Sequence, residues 1–179
     1  MHAGDIIDRL RSLYKKTPPK REQVDVDEII GEMLLLLRSE AIEHAVSIRT
    51  DLAADLPKIT ADRVQLQQVL MNLMLNGIEA MKEIGGVLTV KTGQCDGGQV
   101  LISVSDTGAG LPAGSADELF NAFFTTKPQG SGMGLAISKS IVESHGGRIW
   151  ANGDGVSGAT FHFTLPAASA ETNPPVDAA

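Results

Sequence analysis

Apolar residues crowd residues 62–81, DRVQLQQVLMNLMLNGIEAM, and leave only a narrow polar line. Val64, Leu66, Val69, Leu70, Met71, Leu73, Met74, Leu75, Ile78 and Met81 are apolar, while Gln65, Gln68, Asn72, Asn76, Glu79 and Glu83 recur at steps of three and four. That spacing stacks the polar groups on one face of a helix. A helix that is apolar almost all round belongs in a core. Its polar line must meet water, a partner or a ligand, because an unpaired buried amide costs about 1–3 kcal/mol. A solvated face usually carries Lys or Arg, and this line carries none before Lys82. The pattern favours a stripe lining a polar cavity.

The rest of the chain alternates in type. Residues 3–16 read as a helix with Ile6, Leu10, Leu13 and Tyr14 on one side and no local cover for them. Residues 17–23, with the proline pair, read as a solvated linker. Residues 24–26 suggest a short edge strand. Asp25 caps a predicted helix from 26 to 45, with Asp27 and Glu28 in the first turn, where the helix dipole favours negative charge. Strands are predicted at 46–52, 56–60, 87–92 and 99–105; Asp96-Gly97-Gly98 turns the last two into a hairpin. Residues 106–131 read as a long loop, which in a compact domain is usually functional. A helix over 134–145 stops at Gly146-Gly147, and strands follow at 148–152 and 158–165. The tail from 167 to 179 is rich in small residues and reads as disordered. The order predicts an α/β fold, a two-layer sandwich with a mixed, mostly antiparallel sheet packed on about three helices. The expected organisation is 1–16, 17–23 as linker, a main domain over 24–166, and the tail 167–179.

Composition narrows the function. The chain has 179 residues and a net charge of -7, which leaves no general footprint for nucleic acid or an anionic membrane. Its one cysteine, Cys95, excludes an internal disulfide and suits a reducing compartment. No apolar run reaches the ~20 residues of a membrane span, and the first residues are no secretory signal. The glycines, 19 in all, cluster between Gly85 and Gly158, which puts the functional loops in the second half.

Three stretches there can carry chemistry. Asp106-Thr107-Gly108-Ala109-Gly110 follows a strand. A carboxylate at a strand end can accept from an exocyclic amine, and glycines let backbone approach a flat ring; a plain turn would look the same. Gly130-Ser131-Gly132-Met133-Gly134-Leu135 opens a helix. It offers backbone N–H groups and the positive end of a dipole to phosphate, without the Lys of a P-loop or the spacing of the dinucleotide fingerprint. Phe120-Asn121-Ala122-Phe123-Phe124-Thr125-Thr126-Lys127 puts three of the five phenylalanines in a loop, where they would hold down a lid or dock a partner. Lys127 is the cation nearest to the proposed phosphate site.

In order, N-L-M-L-N at 72–76 with Glu79-Ala80-Met81, D-T-G-A-G, F-x-x-F-F-T-T-K, G-S-G-M-G-L and Gly158-Ala159-Thr160-Phe161 resemble the catalytic, ATP-binding domain of bacterial sensor histidine kinases, within the GHKL superfamily. The resemblance covers about residues 21–166, and its wording looks most like the nitrogen- and oxygen-sensing branch with a short lid. It implies ATP and Mg²⁺ as ligands. Asn76 would hold the metal, and Asn72 would face the same phosphates as its catalytic companion. Asp106 would bind the adenine amine, with Gly108 and Gly110 shaping the pocket and Thr160 near its base. Phe120, Phe123 and Phe124 would anchor the lid. Lys127 and the run Gly130, Ser131, Gly132, Met133, Gly134 and Leu135 would close on the phosphates.

The resemblance also implies partners: a histidine-bearing dimerisation domain of the same protein, of which 1–16 would be the last turns, and the receiver domain of a response regulator. It implies a homodimeric, cytoplasmic parent, with or without a membrane anchor, and no nucleic acid. Two departures stand out. Glu79 occupies a place where many relatives have Lys, so Lys127, Lys82 or Mg²⁺ is expected to supply the positive charge. The phosphoacceptor motif is missing, and His2, His44, His145 and His162 all read as structural. Among rivals, a GHKL ATPase needs a Glu where this chain has Asn72, an amide that cannot act as a base. A protein-serine kinase of the anti-sigma type, and a docking module with a degenerate pocket, are the alternatives.

Overall fold

The computed structural model describes residues 20–111, 118–125, 131–153 and 157–168. The helix expected at 3–16, linker residues 17–19 and the tail beyond 168 lie outside the described residues. Three helices carry the core: α1 (Val26–Glu43), α2 (Arg63–Ala80) and α3 (Gly134–Ser144). Asp25 caps α1 by accepting from Asp27 N and Glu28 N at 3.0 and 3.3 Å, and Asp62 caps α2 through Gln65 N at 3.0 Å. The apolar steps on α1 and α2 bury Ile29, Ile30, Met33, Leu37, Leu66, Val69, Leu70, Leu73, Met74 and Ile78. Across the gap between these helices, Arg63 reaches Glu32 at 2.6 Å, and Gln67 donates to the other oxygen of Glu32 at 2.9 Å. Those bonds hold the Glu32 carboxyl below its ordinary value.

The strands are β1 (Arg21–Val24), β2 (Val46–Asp51), β3 (Ile59–Asp62), β4 (Gly86–Cys95), β5 (Gln99–Ser105), β6 (Arg148–Asn152) and β7 (Thr160–Pro166). Five of them form one sheet in the order β2-β4-β5-β7-β6, with β2–β4 parallel and the other pairs antiparallel. This is the expected mixed sheet on three helices. Alternation sets its faces. Leu88, Val90, Val100, Ile102, Val104, Phe161, Phe163 and Leu165 are buried on the helix side. The other face is open and carries a row in register across all five strands, Asp51–Lys91–Ser103–His162–Trp150.

The sequence-based boundaries differ in several places: the strand expected at 56–60 is β3, Ile59–Asp62, and Val26 of the expected edge strand opens α1. The supposed linker residues 21–23 and Val24 form β1, which pairs antiparallel with β3 in a separate two-stranded sheet. Too few residues separate charges from apolar positions there for alternation to show. The loop expected over 106–131 contains one 3-10 turn, Glu118–Phe120, among its described residues.

Candidate nucleotide-binding site

The site begins where β5 ends. Val100, Ile102 and Val104 point to the helices, and the same alternation aims Asp106 there. Asp106 is buried, and its Oδ1 accepts from Gly108 N at 2.8 Å. Backbone bonds fix the turn: Asp106 N donates to Ala159 O at 2.9 Å, and Gly158 N donates to Gly108 O at 2.8 Å. Thr107 Oγ1 accepts from Val87 N at 3.0 Å and lies 3.5 Å from Met81 Sδ. The loop is thus tied to β4, to β7 and to the end of α2. Gly108 is needed for closeness: a Cβ there would lie 2.6 Å from Ala80 O. Gly110 takes φ 79, the left-handed region that favours glycine.

Gly77, next to Asn76 on α2, stands beside Asp106 at this corner. Asn76 is half-buried and Glu79 is exposed, so water screens the Glu79 charge. Lys82 is exposed and 3.9 Å from Glu83; Lys127 and Gly130 lie outside the described residues. Asn72 clips α2 to the first turn of α3, because its Nδ2 donates to Gly134 O at 3.2 Å and to Ser138 Oγ at 3.3 Å. Helix α3 starts after Met133 with no side-chain cap. Its first N–H groups and the positive end of its dipole are therefore offered to an anion. Ser131 is exposed and its Oγ accepts from Met133 N at 3.3 Å; Met133, Gly134 and Leu135 are half-buried around the helix start.

The aromatic loop divides its work. Phe120 is buried edge-on to Phe161, ring centroids 6.4 Å apart, and Phe124 packs on the core. Phe123 differs from the expected ring anchor: it is 76% exposed. Its backbone does the holding, with Phe123 N donating to Gly132 O at 3.0 Å. Gly132 takes φ 65, and a Cβ on it would run into the Phe123 backbone. Glycine at 132 therefore serves a close backbone crossing between the aromatic loop and the helix start.

Thr160 also differs. Its Oγ1 bonds Ser105 Oγ at 2.9 Å on the open face of the sheet, opposite to the side that Asp106 and Phe161 share. Period-two alternation makes its neighbour Ala159 the residue on the pocket side, where the Ala159 carbonyl holds Asp106 N. Sequence reasoning passes over Ala159, Thr107 and Gly77. A Cβ on Gly77 would lie 3.4 Å from Asp106 Cβ. A glycine inside a helix costs about 1 kcal/mol against Ala, and that cost is the signal available in the sequence.

The described histidines are structural. His44 Nε2 lies 3.2 Å from Glu40 Oε1. His162, on the open face of the sheet, is half-buried: it stacks on Trp150 at 5.2 Å and bonds Ser103 Oγ at 2.8 Å. Burial pushes its pKa below the ordinary 6.5. His145 stands at the end of α3, where an imidazole would favour the helix dipole; it is buried and bridges two elements instead.

No cluster of three or more His, Cys, Asp or Glu side chains able to hold a metal occurs among the described residues. A metal here would rest on one or two oxygen donors such as the Asn76 amide together with phosphate, which is how Mg²⁺ is commonly held. Among the described residues no helix is long and apolar enough to cross a membrane.

Known proteins resemble this chain in sequence and fold. Residues 61–169 match the family described as histidine kinase-, DNA gyrase B- and HSP90-like ATPase. The sensor protein FixL of Bradyrhizobium diazoefficiens is 41% identical over 169 residues, 94% of this chain and 34% of that protein. Full-length ShkA, solved in complex with AMPPNP, superposes with a TM-score of 0.77 at 29% identity, over 90% of this chain and 34% of that one. The histidine kinase ThkA, solved with the response regulator protein TrrA, gives a TM-score of 0.73 at 27% identity over 92% of this chain and 49% of that one. The chain spans about a third or less of the length of such curated relatives.

Proposed function

This chain belongs to the histidine kinase-, DNA gyrase B- and HSP90-like ATPase family, and on that premise we propose that it is the Mg-ATP-binding part of a sensor histidine kinase. It presents the γ-phosphoryl group to a histidine on a separate dimerisation domain. The observation that carries this reading is one constellation: a buried carboxylate, Asp106, beside Gly77 on the same helix that bears Asn72 and Asn76, with the uncapped start of α3 clipped to Asn72.

Each residue then has a role. Asp106, held by Gly108 N, accepts from the exocyclic amine of adenine. Gly108 and Gly110 leave room for the ring. The Asn76 amide oxygen is a hard donor for Mg²⁺, which would neutralise phosphate charge. The N–H groups of Gly134 and Leu135, with the glycine run from 130, take phosphate oxygens. Lys127 is the cation that completes the lid. Phosphoryl transfer asks a protein mainly for positioning and charge neutralisation, and these groups supply that. Asn72 is an amide and cannot activate water, so bound ATP is spared from hydrolysis until an imidazole arrives.

The nucleophile must come from outside residues 20–168. Residues 1–16 fit the end of the dimerisation helix, which makes the parent a homodimer, and a receiver domain the next acceptor. ThkA, solved with a response regulator, supports a receiver domain as partner, and AMPPNP bound to ShkA supports ATP as the ligand. The test is transfer in trans. The chain is mixed with γ-labelled ATP and the histidine-bearing dimerisation domain of its parent. Acid-labile label on that domain is expected only when both are present; label released as free phosphate at an equal rate would favour an ATPase.

A further inference from the structure

His145 joins the far end of α3 to the start of α2. Its Nε2 accepts from Asp62 N at 3.0 Å, and its Nδ1 donates to Ile141 O at 2.8 Å. An acceptor at Nε2 and a donor at Nδ1 define one neutral tautomer. The residue is 6% exposed and lies beside Ala61, Leu66, Val142 and Leu165. Asp62 is also the cap of α2 through Gln65 N, and it accepts from Lys20 N at 2.9 Å. Arg21 Nη2 donates to Ser144 O, the last residue of α3.

The two helices therefore run antiparallel with two clips. Asn72 holds the first turn of α3, through Gly134 O and Ser138 Oγ, and His145 holds the end. At 1.5 Å per residue the clips on α2, at 62 and 72, are about 15 Å apart. Without the His145 bridge the far end of α3 is held by apolar packing and the Arg21 bond to Ser144 O; the two side-chain clips from α2 set its axis, and with it the direction of the N–H groups that the proposed function assigns to phosphate. An 11-residue helix without a side-chain cap has little stiffness of its own, so its direction depends on such contacts.

We propose that His145 is a positioning residue for the nucleotide site: its Nε2–Asp62 bridge aims the phosphate-binding end of α3. The inference rests on the nucleotide-binding reading above.

The two ring nitrogens can be tested separately. His145→Gln puts an amide oxygen near the place of Nε2 and keeps the bridge to Asp62 N. His145→Asn keeps a donor to Ile141 O and loses the bridge. Mg-ATP affinity of the full chain is measured by calorimetry beside thermal melting of each variant. Affinity about tenfold weaker in His145→Asn, restored to within about twofold in His145→Gln, is expected for a site misaligned by a fraction of an ångström. Equal affinities in the two variants would overturn the proposal, since packing alone would then account for the residue. Absence of binding in the unmodified chain would instead overturn the nucleotide-binding reading. Should His145→Asn not fold, hydrogen exchange at Asp62 N–H in the unmodified chain decides: slowing of about tenfold or more on saturation with Mg-ATP is expected, and an unchanged rate would overturn the bridge as a positioning element.

Discussion

Gly77 of α2 stands against Asp106: a methyl group on Gly77 would lie 3.9 Å from Asp106 Oδ2 and 2.5 Å from Leu88 Cδ1. The central helix thus gives up a side chain where Leu88 packs, beside the pocket carboxylate. Gly77→Ala should gain about 1 kcal/mol of helix propensity but lose about 1–3 kcal/mol to overpacking against fully buried Leu88. The expected net result is a less stable chain with weaker Mg-ATP binding. Urea unfolding and calorimetry on the same variant check both halves.

Gly132 should behave differently. It takes φ 65 and crosses the Phe123 backbone closely, yet it lies at the surface end of α3 and away from the main core. Gly132→Ala is expected to lower Mg-ATP affinity about tenfold or more while shifting the unfolding free energy by about 1–2 kcal/mol. A variant with unchanged affinity would show that this crossing has no part in holding phosphate.

The phenylalanines separate by burial. Phe120→Ala removes a ring packed edge-on to Phe161 and should cost about 3–5 kcal/mol. Phe123→Ala removes a ring that is 76% exposed and should stay within about 0.5 kcal/mol. Chemical denaturation of the pair measures the difference directly.

Acid should weaken the fold through His162. Burial places its folded pKa below 6.5, so the unfolded chain takes up the proton first. Its contribution is present above about pH 6.5 and is lost as pH falls through the folded value. Asp27 runs the opposite way at lower pH, because burial holds its carboxyl above 3.8. Melting temperatures between about pH 7.5 and 5.5 should fall, and His162→Gln should flatten that slope.

Much of this was legible in the sequence, for identifiable reasons. Residues 62–81 declare a core helix with a polar line because their period is unbroken. Asp25 and Asp62 declare their caps because the next residues begin apolar stripes. The hairpins declare themselves through Asp96-Gly97-Gly98 and the alternation of Thr160–Pro166. Other features depend on which chain passes close by, which a local pattern does not encode. The pairing of Arg21–Val24 with Ile59–Asp62 joins strands separated by α1 and β2. Gly77 reads as a helix defect until Leu88 is set against it. His145 reads as a helix end until Asp62 N is found on its ring. Thr160 lies one residue from the pocket-side position, and in a strand one residue changes the face.

The most direct test is Mg-ATP binding by calorimetry on the intact chain and on Asp106→Asn, with and without Mg²⁺. An asparagine can still accept from Gly108 N, so the loop should survive while the anionic acceptor for the adenine amine is lost. Binding that requires Mg²⁺ and weakens about a hundredfold in the variant is the predicted result. Equal binding by the two chains, or none by the intact chain, would contradict a nucleotide site built on Asp106.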